Sequence, residues 1–422
     1  MILALRRLLV CCTALSIFGF LSLACGCGSN SNPNLAGSGS GSGSGAGGSP
    51  TGSGGSGGPT GSGGSGTGSG SGTTPGSGAY VYVSLGSGAI QAYSASSSGG
   101  LTPMSGSPFP APAVNALAGI NNLLFAVESG QNIVSFSIGS TGAITQSSTI
   151  NAQALNTYPT DGGPLSLFTD PRGQDVYDSD IYADGANSRY QAFAIQSGGS
   201  LTYSGVTSYG DTQQRILSFT ADGNYAYGSD CYRTSDDLYG FMRNANGSLT
   251  WFDPKDTLPA PPSGEGYCIS GAAVSPDNHL VVALGESPDG YQVGNSQLAV
   301  YTINPSDGTL TTTDTTETMP TDQVGYVNDY RFDPTGATLA VAGQNGLEIY
   351  GFSAGKLTAE GGALTSDPIA KVEWDSSGNL YALSTTTGKL YVFSVASGAA
   401  TAVSGSPYAI SSPGDLAVVP VS

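Results

Sequence analysis

Basic residues are scarce and histidine is almost missing. The chain has 12 Lys and Arg against 30 Asp and Glu, and His279 is its sole histidine. So acidic a chain is poorly suited to bind nucleic acid, or an anionic bilayer surface, through its own field. A lone histidine with no nucleophile paired to it excludes a Ser/His/Asp or Cys/His catalytic set. Cysteine is thin outside the N-terminus: Cys11, Cys12, Cys25 and Cys27 crowd the first 27 residues, leaving only Cys231 and Cys268. Helical periodicity is also lacking in the repeated part of the chain, which directs attention to strands. The segment DSDIYADG (178–185) lacks the regular alternation and closing Glu of a calcium loop, so neither metal nor cofactor is expected.

What is present begins with a leader. MILALRR carries Arg6 and Arg7 ahead of the unbroken apolar run LLVCCTALSIFGFLSLA, the layout of an export signal. The run closes in SLAC, which resembles the lipobox of bacterial lipoproteins. That resemblance implies that Cys25, with Cys27 as the alternative, is lipidated and becomes the new N-terminus, so that residues 1–25 comprise the signal peptide and the lipidation site. The mature chain would then hold ten basic residues against thirty acidic ones, a net charge of −20. The folded part is expected outside the cytoplasm, on the cell envelope, touching the membrane only through the lipid. Residues 26–78 are almost entirely Gly, Ser, Thr and Pro. They have no apolar surface to offset ordering entropy, and form a tether with a reach of roughly 40 Å.

From residue 79 the chain repeats a phrase. Seven segments run from an apolar or aromatic residue to a closing aromatic three positions later: IQAY (90–93), IVSF (133–136), YQAF (190–193), LYGF (238–241), LAVY (298–301), LEIY (347–350) and LYVF (390–393). Each is followed, at a near-constant offset, by a Gly-x-x-Thr phrase such as GGLT or GSLT. Constant offset is what a hairpin turn produces when it sets strand register. Upstream lie second hairpins on Asp/Gly/Pro turns, for example LSFTADGNYAYGSD and YRFDPTGATLAVAG. Four strands, A to D, repeated seven times predict an all-β fold: a seven-bladed β-propeller over residues 79–422.

The ends of that region explain each other. It opens with AYVYVSL, a B strand with no A before it, and closes with GDLAVVPVS, an A strand with no B after it. The C-terminal strand is therefore expected innermost in the first blade, closing the ring. SGSPF (105–109) and SGSPY (404–408) are then the same phrase at the exit of strand D in adjacent blades. GLTPMSGSPFP, LYVFSV and SPDNHLVVAL also resemble the lactonase-like propeller family, which includes 6-phosphogluconolactonases. The resemblance implies lactone hydrolysis by His, Arg and Glu at the channel mouth. Here Leu165 and Ile216 stand where histidines are expected, while Arg215 is kept and His279 lies on an A–B turn at the wrong face.

The long B–C and D–A connections of blades three to five nominate the site. Catalytic candidates are Arg215, Asp178, Asp180 and Asp230. Tyr182, Tyr232, Arg233, Tyr267 and Tyr291 are candidates for stacking on a ligand. Cys231 and Cys268 fall on this face in neighbouring blades, and a disulfide is expected between them. Asp329, Arg331, Lys371 and Glu373, on inner strands of blades six and seven, are expected to pair between blades. The leading expectation is a monomeric surface module that binds a carbohydrate, peptide or small molecule, with lactone hydrolysis as the alternative.

Overall fold

A computed structural model describes residues 78–421, apart from 129–131, 153–163, 182–187, 209–215, 230–237, 255–257, 260–265 and 288–291. The propeller forms seven antiparallel sheets in a ring, each with four strands on its main path. In blade six, for example, strands A to D are Val327–Phe332, Thr338–Gly343, Gly346–Ser353 and Lys356–Ala359. All seven closing aromatics fall on C strands.

Ring closure follows the expected course. Pro413–Pro420 is strand A of blade one and pairs antiparallel with its strand B, Ala79–Leu85, placing Val418 opposite Val81. Every residue of that B strand is buried, because neighbouring blades cover both of its faces. Tyr80 and Tyr82 pack with Leu117, Leu124 and Phe136 of blade two. The alternate residues, Val81 and Val83, pack with Tyr381, Leu383 and Leu390 of blade seven. Side-chain alternation on a strand thus distributes one hydrophobic run between two cores.

The SGSP phrases are mid-course breaks rather than exits, which corrects the sequence reading. In blade one, strand D (Leu101–Pro103) leaves strand C (Ala89–Ala95), and Phe109–Pro110 then pairs with the same C strand again. Ser107 Oγ fills the gap by accepting the Ala92 N–H at 2.8 Å. In blade seven, Ser406 Oγ accepts the Val392 N–H at 2.8 Å, and Tyr408–Ala409 rejoins strand C. The hydroxyl satisfies an amide that the broken ladder would leave unpaired.

Five A–B turns share one local code. Asp170, Thr220, Ser275, Asp333 and Asp375 each turn a side-chain oxygen back onto a backbone N–H four or five residues ahead. Three residues after each stands Gly173, Gly223, Asn278, Gly336 or Gly378, all at φ between 63° and 80°. Glycine and asparagine are the residues that take this left-handed conformation most readily.

Candidate functional site

The inner strands surround a polar cavity of about 610 Å³ on the propeller axis. Its charged lining comes from three consecutive blades. Asp329 and Arg331 lie on strand A of blade six, and Lys371 on strand A of blade seven (Lys371–Trp374), whose Glu373 adjoins this set. Asp415 lies on the closing strand of blade one. Arg331 Nη2 stands 3.2 Å from Glu373 Oε1, and Lys371 Nζ stands 4.0 Å from Asp329 Oδ2. Both contacts cross from blade six to blade seven, as expected of these four residues.

Two of the carboxylates also hold backbone. Asp329 Oδ2 accepts the Val372 N–H at 3.0 Å, and Asp415 Oδ2 accepts the Leu117 N–H at 2.7 Å. Each thereby clamps the inner strand of the following blade. Ser218 does the same for Val274 between blades four and five, at 2.9 Å.

Burial sets the electrostatics of this cluster. It pushes the Asp415 carboxyl above its usual range, and the nearby Lys371 ammonium opposes it. It likewise raises Glu373, opposed by Arg331 and Lys371. Burial works against the Lys371 ammonium too, but Asp329 and Asp415 more than compensate and hold it above its ordinary value. Asp329, Arg331, Lys371 and Asp415 thus line one cavity with Glu373 beside it, and Asp415 acts on both Lys371 and Arg331. A raised carboxylate is a stronger base for water than an exposed one.

The mouth candidates fare unevenly. Arg215, Asp230, Cys231, Tyr182, Tyr232, Arg233 and Tyr291 lie outside the described residues, as do Cys25 and Cys27. Two expectations are corrected. Asp178 belongs not to a mouth loop but to the middle of strand B of blade three (Asp175–Ile181), where it is fully buried and accepts the Gln191 N–H at 3.3 Å. Tyr267 is not an exposed ring: it begins strand A of blade five (Tyr267–Val274) and is 1 % exposed. Both strands extend further toward the mouth than their turn residues suggest, so neighbouring blades cover these side chains. Asp180 lies on the same strand as Asp178, in register with Arg189 of strand C. Cys268, next to Tyr267, is buried.

His279 sits on the A–B face as expected. It begins strand B of blade five (His279–Glu286), its Nδ1 is 3.1 Å from Asp277, and its ring packs edge-on against Phe352. Ile216 lines the cavity with hydrocarbon where the resemblance expects a histidine. Asp415 was missed by the sequence reading. The clue to it was the ring closure itself, which puts Asp415 in the inner-strand position occupied by Asp329 in blade six.

A closed seven-bladed ring with a charged axial cavity defines the class: a propeller whose inner strands supply its chemistry. The chain belongs to the lactonase family described as "Lactonase, 7-bladed beta-propeller", whose model matches residues 77–372. Its fold is similar to that of a candidate 6-phosphogluconolactonase from Bacteroides uniformis, with 16 % identity, a TM-score of 0.63, and coverage of 81 % of this chain and 99 % of that one. A second candidate 6-phosphogluconolactonase, from Bacteroides fragilis, has 17 % identity, a TM-score of 0.61 and coverage of 82 % and 99 %. A protein from Lactobacillus plantarum has 17 % identity, a TM-score of 0.62 and coverage of 81 % and 99 %. At such identities the likeness is one of fold. No curated protein matches the chain.

Proposed function

We propose that this propeller hydrolyses a lactone in its axial cavity. Family membership across residues 77–372 carries the reading, and the charged cavity is compatible with it. Asp415 takes a proton from water as the hydroxyl attacks the lactone carbonyl carbon. Lys371 and Arg331 stabilise the oxyanion that forms. The ring C–O bond then breaks and its oxygen takes up the proton, giving the open hydroxy acid. The test is turnover of a panel of sugar and aliphatic lactones by the purified protein, compared with Asp415→Asn and Lys371→Met. Activity should fall about a hundredfold or more in Asp415→Asn. Full activity in both variants, or no turnover of any lactone, would reject the reading.

A second reading, a non-catalytic binding module, is favoured by the position of His279 away from the cavity and by Ile216 at its wall. We also propose that the protein is exported and anchored through Cys25 or Cys27, and that Cys231 pairs with Cys268. The leader and the burial of Cys268 support these assignments. Intact-mass measurement would report the lipid, and peptide mapping without reductant would report the bridge.

A further inference from the structure

On the face opposite the mouth loops, a groove of about 630 Å³ lies between blades six and seven. Its floor is apolar: Phe352 at the end of strand C in blade six, Trp374 at the end of strand A in blade seven, and Val395. The indole N–H of Trp374 is already used, donating to the Arg331 carbonyl at 3.1 Å, which holds the ring plane in place. Asp333 is likewise committed to its turn, accepting the Thr338 N–H at 3.0 Å and the Thr335 hydroxyl at 2.7 Å.

Glu360 is different. It follows strand D of blade six, and its carboxylate lies across two glycines from two blades, Gly351 and Gly398. A Cβ on Gly398 would meet the Glu360 Cδ at 2.6 Å, and one on Gly351 would collide with Oε1. Two missing side chains thus make the slot that seats this acid beside the groove. Lys356, exposed on the same rim, supplies one positive charge against it.

We propose that this groove is a second binding site and that it takes a neutral sugar. A fixed indole offers a face for the C–H surface of a pyranose, and a seated carboxylate accepts hydrogen bonds from adjacent hydroxyls. Asp333 and Glu360 outnumber Lys356, so the groove disfavours anions; with Asp333 committed to its turn, Glu360 is the acceptor left for sugar hydroxyls. Its volume lies in the range of small-ligand pockets and accommodates a mono- or disaccharide. This site lies on the other face and contains none of Asp329, Arg331, Lys371 and Asp415, the groups assigned to the lactone chemistry or paired with them.

The chain's two tryptophans make the test direct. In full-length protein carrying Trp251→Phe, Trp374 is the only indole, and its emission is followed during titration with neutral mono- and disaccharides and with tetramethylammonium. A saturable change with a sugar is expected, weakened about tenfold or more when Glu360 loses its charge in Glu360→Gln. Gly351→Ala, whose added methyl would displace the carboxylate, should reproduce that loss. No response to any sugar, a response to tetramethylammonium alone, or sugar binding unchanged in Glu360→Gln would each overturn the proposal.

Discussion

Tyrosine does more here than fill strands. Tyr82 of blade one donates its hydroxyl to the Gly142 carbonyl of blade two at 2.8 Å, Tyr177 of blade three to Gly247 of blade four at 2.8 Å, and Tyr227 of blade four to Gly308 of blade five at 2.6 Å. In each case a buried B-strand ring reaches the C–D turn of the next blade, so one residue type supplies both packing and a tie. Asp322 is another residue whose surroundings decide its behaviour. It is fully buried, accepts N–H groups from Ser296 and Val324 at 3.2 Å, and is pushed up to about 7 by burial, with Glu348 adding to the effect. The folded state therefore holds a proton that the unfolded chain releases near the ordinary carboxylate value. Its contribution to stability is complete below about pH 4 and is lost as pH rises through about 7. Urea midpoints measured from pH 5 to pH 8 should decline, and Asp322→Asn should flatten that decline. An equal slope in both proteins would reject this assignment.

At the scale of elements, the chain uses turns as register marks and one strand as a latch. Five A–B hairpins pair a capping oxygen with a left-handed residue three positions later, so four residues mark the register of each of these hairpins. The latch is Pro413–Pro420, which covers the inner edge of strand B in blade one. Removing it would leave that edge open and strip Ala417 and Val419 from one core and Leu416 from the next. An uncovered apolar edge invites pairing with other chains. Deleting residues 413–422 should give insoluble or protease-sensitive protein, read from soluble yield and limited trypsin digestion. A soluble truncation as protease-resistant as the full chain would show that the ring holds without it.

Across the whole molecule, the axial cavity is a consequence of closure. Asp329, Lys371 and Asp415 lie on three successive inner strands, each one blade further along the chain, and meet because the ring turns those strands toward one axis. Lys371 is the largest restraint on the rise of Asp415, ahead of the Leu117 and Leu416 N–H groups. In Lys371→Met the Asp415 carboxyl should titrate at a higher pH, and the acid limb of any lactonase profile should move up with it. Carboxyl-carbon NMR reports the first effect without depending on activity. An unmoved Asp415 titration would mean that the lysine does not couple to it.

Repeat count, strand order and closure were all legible in the sequence, because period-two burial and turn chemistry are local and recur seven times. The same locality accounts for His279 on its turn and for the pairing across blades six and seven. Asp178 and Tyr267 misled for a tertiary reason: the residue types suit a loop, but the neighbouring blades cover them. Neither the Glu360 slot nor the place of Asp415 could be read from any one segment, since each joins residues from separate blades. By itself the sequence determined the seven-fold β architecture and its latch, through short-range hydrogen bonding and alternation of side chains. Only the tertiary structure decided that Asp415 joins the channel charges and that Glu360 is seated beside the groove, because those positions depend on how the blades pack around the ring.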